Sequence, residues 1–209
     1  MKSKRKIYLS IETAVGGGSI SIIEDEVEID FWAGTNENLR AEDFLEEISK
    51  ILNKNKIERK SIKLITVSGG PGSSTGIKIG LATARGLGTA LNCEVIAVSL
   101  LEAILKFVNI EGNCKVCIIL PIGKNLFLLE KVDLVNFKAS KIFGKAKVFT
   151  IEKLIEELKD LSNIKIIVHR KFLEGYDNLL SKSIDMSNQL IVFNENMASI
   201  INKNNIYQY

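Results

Sequence analysis

Residues 62–76 read IKLITVSGGPGSSTG, an apolar run followed directly by a turn rich in glycine. A nearly continuous apolar run is typical of a central strand in a parallel sheet, because such a strand is buried on both faces. Glycine adopts backbone conformations in a tight turn that other residues disfavour. The stretch therefore predicts a strand over 62–67, a turn, and a helix over 74–91 that is capped by Ser73 or Ser74.

A glycine-rich turn between a strand and a helix also raises the question of phosphate binding. A P-loop requires G-x-x-x-x-G-K-[ST], whereas Ile77 follows Gly76 and Lys78 lies inside the helix. The dinucleotide pattern G-x-G-x-x-G does not fit the spacing either. The helix N-terminus retains a weak general attraction for anions. We interpret the loop as structural, formed by Gly69, Gly70, Pro71, Gly72, Ser73 and Gly76.

The elements on either side of the loop follow from the periodicity of apolar residues. Alternation predicts antiparallel strands over 6–11, 18–23 and 26–32, and helical spacing predicts a helix over 38–54. A strand over 93–98 follows the helix of the glycine loop. Ser99 and Glu102 then form a capping box that begins a helix over 100–108.

This order of elements indicates the fold class. Three antiparallel strands, then helix, strand, helix, strand and helix, make up the ribonuclease-H-like unit, which is each half of actin-like proteins. We therefore predict an α/β protein of the actin-like/ribonuclease-H-like (ASKHA) class, with two lobes and mixed sheets. The weaker pattern after residue 110 predicts strands over 115–120, 125–132, 145–150, 164–169 and 189–193, and helices over 151–161 and 195–203. We expect one lobe over 1–98 and a smaller lobe over 99–209.

The composition indicates an ordered globular protein. Its 209 residues include 28 basic and 25 acidic side chains, and the net charge of +3 is too small to indicate nucleic-acid binding by itself. No apolar run approaches the roughly 18 residues that a membrane helix needs. Ser10 and Glu12 interrupt the stretch that follows the basic KSKRK of residues 2–6, which argues against a signal peptide. We expect a cytoplasmic protein.

Residues that could hold a metal or act as nucleophiles are sparse. Cys93, Cys114 and Cys117 are predicted to be core residues, because neither a second cysteine pair nor a nearby histidine completes a metal site. His169 is the one histidine, and we predict that it is a surface or capped residue. The hydroxyl-bearing residues 73–75 lie outside any G-x-S-x-G pattern, so they are predicted to cap the helix.

Two enzyme classes of this fold require more acidic residues than the pattern supplies. A ribonuclease-H nuclease needs carboxylates on the first strand, the first helix and the end of the fourth strand to hold two metals. Glu12 could supply the first, but residues 66–70, TVSGG, contain no carboxylate. An actin-like kinase needs a second phosphate loop with D-x-G, and the sequence has no such motif.

The helix over 74–91 has an unusual surface pattern. At helical spacing, Lys78 and Arg85 lie on one line with Ala82 and Thr89 beside them, and apolar residues fill most of the remaining circumference. The opposite side, which includes Gly80, is predicted to sit closely on the sheet. An apolar arc this wide exceeds what one sheet face covers. We expect the second lobe or another protein to cover its flank.

Three stretches together resemble the bacterial TsaB (YeaZ) family. SGGPGSSTGIKIGLATARGLG (68–88) is similar to the signature loop and helix of that family, in which G-P-G-S-x-T-G-[LIV]-R-[IV]-G is typical. IETAVGGGSISI (11–22) resembles its first hairpin, and VSLLEAI (98–104) resembles the start of its third helix. The resemblance is specific over 68–103, fair over 6–52 and vague beyond 120.

The resemblance implies a non-catalytic subunit that pairs with the related subunit TsaD through its first two helices. With TsaE, such a subunit supports threonylcarbamoylation of adenosine 37 in ANN-decoding tRNAs. It would bind no cofactor alone, with ATP and metal entering through the partner subunits and tRNA contacted indirectly. Without its partner, two copies of the chain are expected to pair through the same surface. The residues expected at the partner surface are Glu47, Lys50, Lys78, Leu81, Ala82, Arg85 and Thr89.

The sequence departs from the family pattern in four places, one of which is IYQY (206–209), where a proline-rich strand is usual. Glu12 stands where aspartate is usual, RAEDFLEEI (40–48) lacks the usual His-Ser, and ILPIGKNLFLLE (119–130) lacks D-A-R-x-x-[EQ]-[VI]-Y. An alternative from another class stays open at this point, namely a free-standing actin-like ATPase or phosphotransferase with a degenerate phosphate loop. Magnesium-dependent nucleotide binding by the isolated chain would distinguish it.

Overall fold

The computed structural model describes residues 6–25, 27–34, 41–110, 112–135 and 138–169, and then 176, 178, 182–185, 187, 189–193, 195 and 197–205. The chain divides into two compact units. Unit 1 consists of residues 1–107 and 196–209, and unit 2 consists of residues 108–195. Within the described ranges, no helix combines the length and apolar character that crossing a membrane requires.

Unit 1 is built on a five-stranded mixed sheet. Its strands are β1 (Ile7–Glu12), β2 (Ser19–Glu24), β3 (Val27–Ala33), β4 (Ile62–Ser68) and β5 (Glu94–Val98). They lie in the order β3-β2-β1-β4-β5, in which β1, β2 and β3 are antiparallel and β1, β4 and β5 are parallel. This is the arrangement that the order of elements in the sequence predicted.

Helices α1 (Ala41–Lys54) and α2 (Ser74–Leu91) share a core with one face of this sheet. Helix α3 (Leu100–Val108) follows β5, and its Leu100, Ala103 and Ile104 are buried. The bounds of α2 and α3 match the prediction, whereas the predicted start of α1 at residue 38 lies outside the described residues. Phe44 of α1 is fully buried against alternate apolar residues of β1, β2 and β4, and it meets the ring of Trp32 edge to face at 5.9 Å between centroids.

Unit 2 repeats the strand order of unit 1. Its elements are β6 (Cys114–Gly123), β7 (Leu126–Val135), β8 (Lys138–Thr150), α4 (Ile151–Lys159), β9 (Lys165–His169) and β10 (Gln189–Phe193). The sheet order is β10-β9-β6-β7-β8, with β6, β7 and β8 antiparallel and β6, β9 and β10 parallel. The predicted fold class, two lobes with mixed sheets, is confirmed.

The core of unit 2 lies between its sheet and α4. Leu154 and Leu158 of α4 are fully buried there, and Lys131 pairs with Glu157 at 2.6 Å beside them. Thr150 occupies the N-cap position of α4 as expected, although its side chain makes no capping hydrogen bond. β8 starts earlier than the predicted residue 145. Its pairing with β7 continues across two register shifts, which break the alternation that the sequence pattern relies on.

The last helix, α5 (Met197–Asn205), returns to unit 1 and packs against β1, β2 and β4. Ser19 Oγ accepts a hydrogen bond from the Ala198 amide at 3.1 Å, and Ser199 Oγ donates to the Glu28 carboxylate. Because serines alternate with core residues along β2, their hydroxyls lie on the face opposite the core and need buried partners. The start of α5 supplies the partner of Ser19, whereas Ser21 Oγ donates to the Glu28 carboxylate of β3 at 2.6 Å.

This return corrects the predicted lobe boundary. The sequence placed everything after residue 98 in the second lobe, whereas the structure divides the chain after residue 107 and again after residue 195. Both α3 and α5 therefore belong mainly to unit 1.

Replacing Phe44 with alanine is expected to lower the free energy of unfolding by about 3–5 kcal/mol, because it removes a fully buried ring and leaves a cavity. Chemical denaturation followed by circular dichroism measures this change. The neighbouring Leu45 is 42% exposed, so Leu45→Ala serves as a matched control and should cost less than about 1 kcal/mol. Equal losses of stability in the two variants would contradict the packing of α1 against the sheet through Phe44.

Candidate functional site

The glycine loop between β4 and α2 is held by protein on both sides. On one side, the Gly69 amide donates to Val98 O at 2.8 Å and Gly70 O accepts from the Leu100 amide at 2.7 Å. On the other side, the Ser73 amide donates to Ala14 O at 2.7 Å. The loop is thus hydrogen-bonded to the end of β5, to the start of α3 and to the hairpin loop that follows β1.

The glycines of the loop permit this close approach of backbone to backbone. A Cβ atom at Gly72 would overlap the carbonyl oxygen of Ala14, and one at Gly76 would overlap that of Thr13. Gly70 has a φ of +102°, a conformation that other residues rarely adopt. In phosphate loops, glycine lets the backbone approach a ligand. Here the atoms that Gly72 and Gly76 approach belong to the first hairpin.

The start of α2 is fixed by two side chains. Ser73 Oγ accepts from the Gly76 amide at 3.3 Å, which confirms the predicted N-cap. Thr13 Oγ1 donates to Gly76 O at 2.7 Å, so the first hairpin holds the first turn of the helix. One turn later, a Cβ at Gly80 would overlap Thr13 Oγ1. That Cβ would also lie 3.4 Å from Val67 of β4, so the prediction that this side of α2 sits closely on the sheet is confirmed.

Glu12 is the buried carboxyl group of this region. It is 1% exposed, and its Oε1 accepts hydrogen bonds from the Ala14 amide at 2.5 Å and the Val15 amide at 2.9 Å. Burial raises the pKa of Glu12 to about 7, although the two backbone N–H groups act in the opposite direction. The carboxyl group that the sequence offered as a metal ligand thus shapes the hairpin loop that the glycine loop packs against.

The expected partner surface on α2 is exposed. The side chains of Lys78, Ala82, Arg85 and Thr89 are all accessible. Leu81 differs from them, because it is half-buried and packs against the core of unit 1. The outer side of α2 is therefore a narrow strip of small residues beside a line of two cations.

The expected partner surface on α1 carries a short ion-pair network. Lys50 is exposed and pairs with Glu46 and Glu47, each at 2.8 Å. Lys50 donates hydrogen bonds to Glu46 and, with a smaller effect, to Glu47, and both bonds raise the pKa of Lys50. Glu47 is partly buried, so it is less accessible than Lys50. The structure brings α1 and α2 into contact with one another, as the predicted joint surface requires.

The remaining candidate residues are engaged in packing. Cys117 is buried, which raises the pKa of its thiol to about 12, and Cys93 and Cys114 are half-buried. His169 is also buried, with its Nε2 at 3.0 Å from Glu195 O and its ring edge to face with Phe193. In the described part of the chain, no three histidine, cysteine or acidic residues lie close enough to hold a metal ion.

Sequence reasoning missed Thr13 and Ala14, which link the first hairpin to the glycine loop. It treated residues 12–17 as a short polar connection. A signal for the link was nevertheless present, because β1 and β4 were both assigned to the same ribonuclease-H-like unit. When these strands are parallel neighbours, the loops that follow them leave the same edge of the sheet and meet there.

The two mixed sheets and the packed glycine loop define a two-lobed protein of the actin-like class. A protein with an actin-like ATPase fold from Bacteroides thetaiotaomicron superposes with a TM-score of 0.53 at 12% identity, covering 94% of this chain and 95% of its own. YeaZ from Pseudomonas aeruginosa superposes with a TM-score of 0.61 at 16% identity, covering 95% of this chain and 89% of its own. These similarities concern the fold.

The sequence comparisons give the family. The family model of TsaD, tRNA N6-adenosine threonylcarbamoyltransferase, matches residues 38–164, which is more than half of the chain. A tRNA threonylcarbamoyladenosine biosynthesis protein TsaB, from Buchnera aphidicola subsp. Baizongia pistaciae (strain Bp), is 26% identical over 210 residues, covering 97% of this chain and 92% of its own length. The chain belongs to the TsaD family and, within it, to the TsaB (YeaZ) members.

Replacing Gly76 with alanine is expected to destabilise the protein by about 2 kcal/mol or more, because the new methyl group meets the Thr13 carbonyl. Gly86, on the same helix, has no neighbour within 4 Å of a built Cβ. Gly86→Ala is thus a matched control and should stabilise the protein by about 0.5–1 kcal/mol through helix propensity. Thermal unfolding measures both changes. Stabilisation by both substitutions would contradict the close docking of the loop.

Glu12 is expected to make stability depend on pH. Its pKa is raised from 4.5 to about 7 by folding, so the folded chain binds more protons than the unfolded chain between these values. The free energy of unfolding therefore falls as pH rises from about 4.5 through 7 and levels off above that range. Glu12→Gln keeps an acceptor oxygen for the hairpin and removes the titration.

Unfolding midpoints of the wild type and of Glu12→Gln, measured from pH 4 to pH 8, test this dependence. The stability of the wild type relative to the variant should decline across that interval. A difference between the two proteins that stays constant with pH would show that Glu12 does not titrate there.

Proposed function

We propose that the chain is a non-catalytic subunit in the biosynthesis of threonylcarbamoyladenosine in tRNA. In this role it pairs with TsaD and acts together with TsaE on adenosine 37 of ANN-decoding tRNAs. The observation that carries the proposal is the packing of the glycine loop against the Thr13 and Ala14 backbone. A loop that is packed against the first hairpin in this way serves to start and orient α2. The family assignment and the name of the Buchnera relative point to the same process.

The non-catalytic part of the proposal rests on how the candidate chemical groups are used. Glu12 is bound to two backbone amides, and His169 is bound to the carbonyl of Glu195. Each of these groups therefore has a structural role that explains its burial. ATP and metal would enter through the partner subunits. As a working part of tRNA modification, the complex would be cytoplasmic.

The partner surface would be formed by the outer sides of α1 and α2. Ala82, Gly86 and Ala90 carry only a methyl group or a hydrogen atom on Cα, which leaves room for close approach of a partner helix. All three residues are exposed. Lys78 and Arg85 lie along one side of this strip, so carboxylates of the partner would complement that side. Such a centre of small residues with a charged rim suits helix-to-helix docking, and TsaD would supply the opposing helices.

Co-purification with the TsaD homologue of the same genome, followed by a tRNA threonylcarbamoylation assay with ATP, tests the proposal. We expect a stable pair whose activity depends on this chain. Absence of pairing, together with magnesium-dependent ATP binding by the chain alone, would replace the proposal with a phosphotransferase or ATPase activity.

Replacing Ala82 with aspartate is expected to abolish pairing with TsaD and to lower modification activity at least tenfold, because a carboxylate would be desolvated in the centre of the surface. Pull-down and the modification assay measure the two effects. If two copies pair when TsaD is absent, the same substitution should yield a monomer in light scattering. Ser162→Asp, at an exposed position of unit 2, is the control for added charge.

Ala82 is exposed, so Ala82→Asp should leave the circular dichroism spectrum and the melting temperature unchanged. Retained pairing and activity in this variant would place the partner elsewhere on the molecule.

A further inference from the structure

Positive charge is concentrated at one end of unit 1. The segment from residue 54 to residue 63 carries several lysines and an arginine but only one acidic residue, Glu58. Lys6 stands at the start of β1, and three more basic residues, Lys2, Lys4 and Arg5, precede it in the sequence. The net charge of the whole chain is only +3, so the rest of the chain is net acidic. The charge distribution is therefore strongly uneven although the total is small.

The pairing of β1 with β4 brings these two segments together. Ile7, which follows Lys6, lies in register with Ile62, which follows the 3-10 turn Arg59–Ser61. Since β1 and β4 are parallel, the residues that precede both strands leave the same edge of the sheet. We refer to the described side chains at this edge as the basic end, which comprises Lys6, Lys56, Arg59, Lys60 and Lys63.

A β-bulge adds Lys63 to the basic end. Ile7 is paired with Ile62 and Tyr8 with Leu64, so Lys63 is an extra residue without a partner position on β1. A bulge of this kind commonly redirects a side chain from the regular face of a strand. Lys63 is exposed, whereas Ile62 and Leu64 on either side of it are buried. The local geometry thus presents an ammonium group to solvent beside the turn.

The side chains of the basic end are accessible and little neutralised. All five are exposed, and the ion pairs made by the described residues include none of them. The neighbouring Lys54 is different, because it pairs with Asp30 at 2.8 Å. Acidic residues also stand at this end of the sheet, namely Glu24 opposite Ile7, Glu94 opposite Leu64, and Asp25, whose Oδ1 accepts the Lys6 backbone amide at 3.1 Å.

We propose that the basic end binds the phosphate backbone of RNA. Several cations spaced along one edge suit a polyanion better than a single small anion, which requires a converging pocket. The lysines act as point charges on flexible stems, which favours contact with phosphates over readout of bases. The choice of RNA among polyanions rests on the proposed role in tRNA modification. The basic end involves neither α2 nor the glycine loop, although it adjoins α1, where Arg59 Nη2 donates to Ser49 Oγ at 3.4 Å.

Binding of unmodified tRNA transcript to the full chain, measured by fluorescence anisotropy at several salt concentrations, tests this proposal. The test variant combines Lys56→Gln, Lys60→Gln and Lys63→Gln. The control variant combines Lys124→Gln, Lys153→Gln and Lys159→Gln, which removes the same charge from exposed positions of unit 2. Thermal unfolding confirms that both variants remain folded.

We expect the test variant to bind tRNA at least tenfold more weakly at about 0.1 M salt, with the control within twofold of the wild type. The slope of log K against log salt should become shallower by about 2–3 in the test variant only, because each phosphate contact contributes about 0.7–0.9. Wild-type affinity and slope in the test variant would overturn the proposal. Equal losses in both variants would also overturn it, in favour of a general effect of net charge.

Vesicles that contain phosphatidylserine provide a further arm. Strong binding of the wild type to these vesicles with no binding to tRNA would overturn the choice of RNA in favour of an anionic membrane surface. The modification assay separates this proposal from the proposed function. If tRNA modification depends on the chain but the test variant binds tRNA as the wild type does, the proposal that the basic end binds RNA is refuted and the proposed function stands. Loss of tRNA binding in that variant, without any contribution of the chain to modification, would refute the proposed function alone.

Discussion

The docking of two loops at one edge of the first sheet is the interaction on which the rest of unit 1 depends. Two hydrogen bonds join the loops there. The Ser73 amide donates to Ala14 O, and Thr13 Oγ1 donates to the Gly76 carbonyl. Buried peptide groups must find partners, and each of these loops supplies partners for the other. Glycine is needed where the two chains are closest, because any side chain would occupy the space of the opposing carbonyl. Glu12 completes the arrangement, because its carboxyl group accepts hydrogen bonds from two backbone amides of the hairpin loop.

This docking sets the direction of α2 and therefore decides what its outer side presents. The inner side is occupied by contacts with Thr13, β4 and β5. The outer side is left with exposed small residues and two cations. A sequence motif that resembles a phosphate loop thus serves to position a helix surface. The proposed pairing with TsaD uses that surface. The position of the surface depends on the glycines of the loop, whose spacing does not fit a phosphate loop.

Much of unit 1 could be predicted from the sequence, because its elements are set by local patterns. The bounds of α2 and α3 follow from helical spacing and from capping residues such as Ser73, and the exposure of Lys78 and Arg85 follows from their position on the helix. The contacts of Thr13 and Ala14 join residues far apart in sequence, so no local pattern reveals them. The early start of β8 depends on irregular pairing with β7, and the return of α5 depends on hydroxyls of β2 that only the folded sheet brings into place.

The position of α5 has a consequence for synthesis of the protein. All five strands of the first sheet have been synthesised once residue 98 has been added, but the helix that meets Ser19 and Glu28 is made only after the whole of unit 2. Until then, the face of the sheet that α5 covers lacks the partner for these polar groups. The half of the protein that is made first thus depends for its completion on the residues that are made last.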